Sequence, residues 1–278
     1  MKKLLILLIP LVFLVSKAQA GERYISLAPS TTEILFALGL ESEIVGVSTF
    51  CNYPPEAKNK EKVGDFSYPN LEKIASLNPD YVFCTGLEQA PVINELKRLK
   101  LNFYVADPVN IQELFETIND IGKITGKHNE AAKLIEKMKS EVDGVIAQSK
   151  NIPQEKRLGV FVEIWHEPLM TAGKGSLVDE LITLAGGINI AHDVPRPYCI
   201  FSAEKVISFN PQCIILAYMD KESPIKLVES RFGWKNIDAV KNKRVFNDID
   251  PDLFLRPGPR ITIGLKALFN KLYPNEKN

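Results

Sequence analysis

Leu71-Glu72-Lys73-Ile74-Ala75-Ser76-Leu77-Asn78-Pro79-Asp80-Tyr81-Val82-Phe83 recurs in this chain as Ala203-Glu204-Lys205-Val206-Ile207-Ser208-Phe209-Asn210-Pro211-Gln212-Cys213-Ile214-Ile215. Both stretches read Glu-Lys-(Ile/Val)-x-Ser-(Leu/Phe)-Asn-Pro and then run into apolar residues of strand length. The offset is 132 residues (204 − 72), without a gap. Asn70 and Ser202 are good N-caps, so a helix should begin just after each. Glu72 and Glu204 then fall in a first turn, where a negative charge suits the helix dipole. Ile74 with Leu77, and Val206 with Phe209, are three apart and define one buried face. Pro79 and Pro211 end the helices. Each copy therefore predicts a short helix feeding a buried strand, and the repeat predicts two similar lobes.

Outward from the first copy, strands are expected at 24–28, 44–47, 81–84 and 102–105, alternating with helices at 34–38 and 92–100. Pro29 to Glu33 reads as a loop and N-cap. That alternation indicates a parallel sheet covered on both faces. Ser48 to Asn70 is a long irregular connection. Ile111 to Thr125 is amphipathic. Asn129 to Gln148 is a longer helix with Ala131, Leu134, Ile135, Met138, Val142, Val145 and Ile146 on one stripe. At 1.5 Å per residue it spans roughly 30 Å. It lies between the two copies and reads as the connector between lobes. Around the second copy, strands are expected at 157–164, 213–217 and 244–247, a loop at 170–175, and helices at 177–185 and 261–273. Residues 231–240 read as helix or loop, and 252–260 as a loop. A weaker echo relates Ile34-Leu35-Phe36-Ala37-Leu38-Gly39 to Leu181-Ile182-Thr183-Leu184-Ala185-Gly186, each preceded by a glutamate, Glu33 and Glu180.

Residues 1–20 have the form of a secretory signal: Lys2 and Lys3, an apolar stretch from Leu4 to Val15, and Ala18-Gln19-Ala20 before cleavage. The apolar stretch is too short to span a bilayer. Residue 21 is Gly rather than the Cys of a lipoprotein, so a soluble protein of the periplasm is expected. The formal net charge is 0. Loss of Lys2, Lys3 and Lys17 leaves a mildly acidic chain without a basic block, which argues against nucleic acid as partner. Cys51, Cys84, Cys199 and Cys213 allow three disulfide pairings in an oxidising compartment. The within-lobe pairs, Cys51 with Cys84 and Cys199 with Cys213, demand least; a cross-lobe pair would lock any cleft.

Val45-Gly46-Val47-Ser48-Thr49-Phe50-Cys51-Asn52-Tyr53-Pro54-Pro55-Glu56-Ala57, Val63-Gly64-Asp65-Phe66 and Asn70-Leu71-Glu72-Lys73-Ile74 resemble the substrate-binding proteins of ABC importers with a rigid connecting helix. The closest likeness is to their cobalamin-binding branch. Met170-Thr171-Ala172-Gly173-Lys174, Ala185-Gly186-Gly187-Ile188-Asn189 and Arg256-Pro257-Gly258-Pro259-Arg260 continue the resemblance, which covers 21–273. It implies an α/β chain of two Rossmann-like lobes with central, mostly parallel sheets. A single long α-helix joins them, and the ligand cleft lies between them. The expected units are 1–20 signal, 21–127 first lobe, 128–150 connecting helix and 151–278 second lobe.

The resemblance also implies roles. Phe50 and Phe66 match cleft aromatics of the first lobe, Met170 and Tyr198 the second-lobe wall, and Asp252 and Arg256 polar contacts. Apart from the resemblance, Phe50, Tyr53, Phe66, Tyr198 and Phe254 are all loop aromatics that the core does not need; three of the five are expected to contact the ligand and the others to anchor loops. The ligand implied is cobalamin or a related corrinoid, with ferric siderophores and haem as the alternatives that share the scaffold. Glu72 and Glu204 match the acidic pair, one per lobe, that docks on arginines of the permease dimer. The binding protein itself is expected to be a monomer.

Other chemistries find less support. His128, His166 and His192 form no His-x-x-x-His pair, so no direct metal site is expected. His166 and His192 read as surface residues. Gly173-Lys174-Gly175-Ser176 lacks the spacing of a phosphate loop, and no nucleophile elbow occurs, so an enzyme is not expected.

Overall fold

The computed structural model describes residues 21–86, 89–218 and 225–274. The expected signal, 1–20, lies outside the described residues. In chain order the first part runs β1 (Tyr24–Ser26), α1 (Pro29–Ala37), β2 (Ile44–Val47), α2 (Leu71–Ser76), β3 (Tyr81–Cys84), α3 (Ala90–Arg98), β4 (Phe103–Val105) and α4 (Ile111–Ile124). Then comes α5 (His128–Ser149). The second part runs β5 (Gly159–His166), β6 (Leu169–Ala172), α6 (Leu177–Leu184), β7 (Ile188–Asn189), β8 (Tyr198–Ile200), α7 (Ala203–Phe209) and β9 (Cys213–Leu216). It closes with α8 (Ile225–Ser230), α9 (Asp238–Lys241), β10 (Val245–Phe246), α10 (Asp252–Leu255) and α11 (Ile261–Leu272).

The repeat survives down to single dihedral angles. The Asn70 side chain accepts from the Lys73 N–H at 2.9 Å, and the Ser202 hydroxyl from the Lys205 N–H at 3.2 Å. Ahead of each proline the asparagine takes a left-handed backbone, φ 45° at both Asn78 and Asn210. Asparagine tolerates that region better than most residues, and the residue before proline is kept out of the helical one. Each chain then turns directly into an interior strand: β3 between β1 and β4, β9 between β5 and β10.

The first sheet has the order β2-β1-β3-β4 and is parallel throughout. The second has the order β10-β9-β5-β6-β8, with β7 beside β5. There β6 runs antiparallel to both β5 and β8. The stretch Met170 to Gly175, expected as a loop, instead contains most of β6. A tight turn at Glu167-Pro168 makes it a hairpin partner of β5, and its four residues are too few to show a period. Helix α1 also starts earlier than expected, with Pro29 in its first turn, a position proline favours.

The core is shared. One apolar cluster takes in Tyr24, Ile34 and Phe83 beside the first sheet and Val160, Val162 and Ile215 beside the second. Met138, Val142 and Val145 of α5, with Leu265 and Leu268 of α11, lie in the same cluster. Each sheet has a separate cluster on its other face: Ile25, Val82 and Leu96 in the first lobe, Phe161, Ile214 and Trp234 in the second. The two lobes therefore share one core instead of each having only its own. Helix α5 packs on α4, α6 and α11, so one face of the connector joins the shared core.

No disulfide forms. Cys51, Cys84, Cys199 and Cys213 are free and buried. Cys199 on β8 and Cys213 on β9 are separated by β5 and β6. Three interstrand steps are about 14 Å, well beyond disulfide reach. Cys51 belongs to the shared cluster and Cys84 to the first lobe's separate one, on the other face of the sheet. Thr32 and Ser48 hydroxyls lie 3.1 and 3.2 Å from the Cys51 sulfur. Burial pushes the Cys84 thiol up to about 12 and the Cys213 thiol likewise to about 12. Such thiols are neutral and unreactive at pH 8. Ellman's reagent should find almost no thiol in the native protein at pH 8 and all four after denaturation; fewer than four in denaturant would reveal a disulfide.

Candidate ligand-binding cleft

Phe50, Tyr53, Phe66 and Arg256 sit in loops, the first three in the connection that follows the parallel strand β2; open α/β sheets place their ligands at the carboxyl ends of such strands. In the first lobe, Phe50 follows β2 and is 57% exposed. Phe66 is half-buried. Its loop is held by Gln89, a residue the sequence did not flag. Gln89 is fully buried. Its amide donates to the carbonyls of Phe66 at 2.7 Å and Leu27 at 3.2 Å, while its oxygen accepts from the Thr85 N–H at 2.8 Å. One side chain thus ties the Phe66 loop to the ends of β1 and β3. The turn before Phe66 needs glycine: Gly64 has φ 107°, and a Cβ there would stand 2.7 Å from the Asn70 nitrogen.

The lobes meet through charge. Glu33 on α1 is 4% exposed. Arg260 donates to both its oxygens, at 2.8 and 2.6 Å, and its guanidinium lies 3.7 Å over the Tyr53 ring. Those hydrogen bonds raise the Arg260 pKa further. Arg256 donates to Asn52 at 2.7 Å and pairs with Asp252 at 3.0 Å, with Glu33 at 3.7 Å. Burial pushes the Asp252 carboxyl up, and Arg256 pulls against it. Asp252 and Arg256, expected as ligand contacts, are thus engaged at the lobe junction with Asn52 and with each other.

The second glutamate of the weaker echo also crosses. Glu180 on α6 accepts from the Ile111 N–H at the start of α4, at 2.7 Å. Burial holds its carboxyl above the ordinary range, that hydrogen bond opposes the shift, and nearby Glu113 adds to it. One glutamate reaches from each lobe to the other, from matching helices.

Phe254 needs correcting. It is 1% exposed inside the shared core, so its ring has no face for a ligand. It sits on α10, against which α6 and α11 pack. The sequence counted it among loop aromatics because a one-turn helix leaves no periodicity. Tyr53 keeps 41% of its surface. Met170 and Tyr198 lie on β6 and β8, whose register pairs Met170 with Ile200 and Ala172 with Tyr198. Phe50 and Phe66 stand on the first lobe, apart from that pair of strands.

Glu72 and Glu204 are exposed in the first turns of α2 and α7. Glu204 is held below the usual carboxylate range by its own backbone N–H, then by Ser202. His128 begins α5. His192 is half-exposed and its Nδ1 lies 3.0 Å from Asp179. The His166 ring sits edge-on to Tyr218 at 5.8 Å. Among the described residues no cluster of three His, Cys, Asp or Glu is arranged to hold a metal, and no helix is long and apolar enough to cross a membrane.

Residues 25–252 match the family described as periplasmic binding protein. The chain is 35% identical over 259 residues to an uncharacterized ABC transporter substrate-binding lipoprotein of Bacillus subtilis, covering 91% of this chain and 81% of that one. It is 31% identical over 254 residues to a vitamin B12-binding protein of Salmonella typhimurium, covering 91% of each. A solved structure described as a possible iron-binding periplasmic solute-binding protein, from Staphylococcus epidermidis, aligns with TM-score 0.79 at 33% identity. That alignment covers 91% of this chain and 98% of the other. The chain belongs to the periplasmic binding protein family, as a substrate-binding protein of the ABC transport type.

Arg260→Ala would strand Glu33 at the junction and uncover Tyr53. Removing one partner of a buried pair costs about 3–5 kcal/mol. Urea unfolding should show a loss near the lower end, because Arg256 remains 3.7 Å away. Arg98→Ala, which breaks the exposed Glu95–Arg98 pair, should cost less than about 1 kcal/mol.

Proposed function

We propose that this protein captures cobalamin or a related corrinoid between its lobes and hands it to an ABC importer, without catalysing a reaction on it. The observation that carries the reading is the 31% identity to a vitamin B12-binding protein along 91% of each chain. The Phe50 to Phe66 stretch supports it, with Gln89 holding Phe66 in place. The proposed ligand set is Phe50, Phe66, Met170 and Tyr198, with Asp252 and Arg256 shaping the polar end of the junction. A ferric siderophore or haem is the second reading, favoured by the neighbour described as possibly iron-binding. Residues 21–127, 128–150 and 151–278 are the proposed first lobe, connector and second lobe. Cleavage near Ala20 would free a soluble, monomeric protein into the periplasm.

Titration calorimetry with cyanocobalamin, haemin and a ferric hydroxamate separates the readings. One cyanocobalamin per chain, tighter than the other two, is the expected result. Tight binding of the hydroxamate with no corrinoid heat would end the corrinoid reading.

Glu72 and Glu204 are proposed to dock on arginines of a permease dimer, one from each lobe. Both are exposed at equivalent points of the repeat, which suits a partner with twofold symmetry. Carboxylate–guanidinium pairs add geometric specificity to such a contact. Glu72→Ala with Glu204→Ala should abolish uptake by the reconstituted importer while ligand affinity and melting temperature stay nearly unchanged. Each single change should be intermediate, and normal transport by the double variant would reduce both residues to helix-dipole partners.

A further inference from the structure

The register of the second sheet gathers apolar side chains that the sequence keeps apart. Trp165 on β5 pairs with Met170 on β6, and Met170 pairs with Ile200 on β8. Directly opposed residues in a ladder project to the same face. Tyr198, two residues before Ile200, projects there too. Trp165 is 38% exposed, Tyr198 48% and Ile200 70%. Ala172 shares this face by the same alternation, and it is buried in the core common to both lobes. The row is therefore the uncovered continuation of an apolar core face. Its width across three strands is two interstrand spacings, about 10 Å. Exposed apolar residues gathered in one row suit a binding site better than the same residues scattered singly.

A break in the strand's alternation puts Trp165 in this row. By period two it would share the side of Glu163. Between Glu163 and Trp165 the register shifts, so that Glu163 opposes Thr171 and Trp165 opposes Met170. Bulges re-aim side chains in this way, often beside functional sites. The strand is pinned just before the shift. Glu163 is fully buried, receives Arg231 at 2.6 and 2.5 Å, and bonds the Tyr218 hydroxyl. The Trp165 indole N–H donates to the Glu167 carbonyl at 2.9 Å, so its polar edge is satisfied within the hairpin. What it offers outward is aromatic surface.

We infer that Trp165 and Ile200 join Met170 and Tyr198 in an apolar platform for one side of a tetrapyrrole macrocycle, corrin or haem, which lies along the second sheet. The inference rests on the corrinoid or haem reading above and adds Trp165 and Ile200 as residues that select for it. A macrocycle of four linked five-membered rings is broad enough to reach all four side chains at once. A compact polar iron chelate would leave Trp165 and Ile200 wet and gain nothing from them. The platform therefore discriminates by shape and polarity, independently of the metal at the ring's centre.

The chain has two tryptophans, Trp165 and the fully buried Trp234, which gives a direct readout. Brief N-bromosuccinimide labelling, read by peptide mass spectrometry, is run without ligand and with saturating cyanocobalamin or haemin, binding being verified by calorimetry. Trp165 should be modified in the free protein and protected in the complex, with Trp234 unmodified in both. Trp165→Ala and Ile200→Ser should each weaken tetrapyrrole binding by roughly tenfold to a hundredfold, the loss of a buried apolar contact. Melting temperatures should hardly move, since both side chains are exposed, and Trp165→Phe should restore most of the affinity. If the tetrapyrrole binds while Trp165 stays reactive and both variants bind like the parent, the platform is wrong and the ligand reading survives. If neither tetrapyrrole binds, both fall together. Protection of Trp165 by raised protein concentration alone would make the row a contact between copies of this chain, and would also overturn the proposal.

Discussion

The two lobes are held at one setting by a core they share. One face of helix α5 lies against that core, and its Met138 and Val142 belong to the same cluster as residues beside both sheets. Opening the lobes would expose this apolar surface, at about 25 cal/mol per Å². Around it stand two charged crossings, Arg260 on Glu33 and Glu180 on the first N–H of α4. Buried pairs of this kind contribute little net stability against a hydrophobic alternative, but they specify geometry sharply. A Glu33 without Arg260 has no solvent to fall back on. The junction is thus set by polar groups that tolerate one arrangement, on a core that resists separation.

That fixed setting governs the chemistry of the cleft. Arg260 covers one face of Tyr53, and Arg256 engages Asn52, so loop residues of the first lobe are positioned by the second. Gln89 does the same within the first lobe for Phe66. Loops that are already ordered lose little entropy when a ligand binds. The proposed second-lobe wall is equally pre-set, because Met170 and Tyr198 lie on strands rather than on loops.

The internal repeat shows where the lobes agree and where they part. They agree at α2 and α7, down to the cap, the left-handed asparagine and the strand that follows. They agree again at Glu33 and Glu180, which sit on matching helices and reach in opposite directions. They part at β6 and β8. The first sheet is parallel throughout, while the second adds an antiparallel pair carrying Met170, Tyr198 and Ile200. The asymmetry lies on the face proposed for the ligand, and the symmetry lies on the helices proposed to meet a twofold partner.

Much of this was legible from the sequence alone. The repeat, the connecting helix and the parallel first sheet all follow from local rules: capping, period, proline and the length of an apolar run. Glu72 and Glu204 were legible as a matched, exposed pair, because a helix start fixes what surrounds its first turn. Residues whose role depends on partners far along the chain were not. Glu33 and Arg260 are separated by 227 positions, and neither carries a local sign of the other. Gln89 looks like any polar residue near a helix start until Leu27 and Phe66 are brought to it. Phe254 looked exposed because its neighbours in sequence are turn residues, and the packing of α6 and α11 buries it. The cysteines looked pairable until the strand order set them on different strands and different faces. Trp165 changed sides because of one extra residue in a strand. Local sequence determines which elements form and where they start and stop. Strand order, register and the bulge decide which side chains share a face, because these depend on packing between distant segments that no local pattern records.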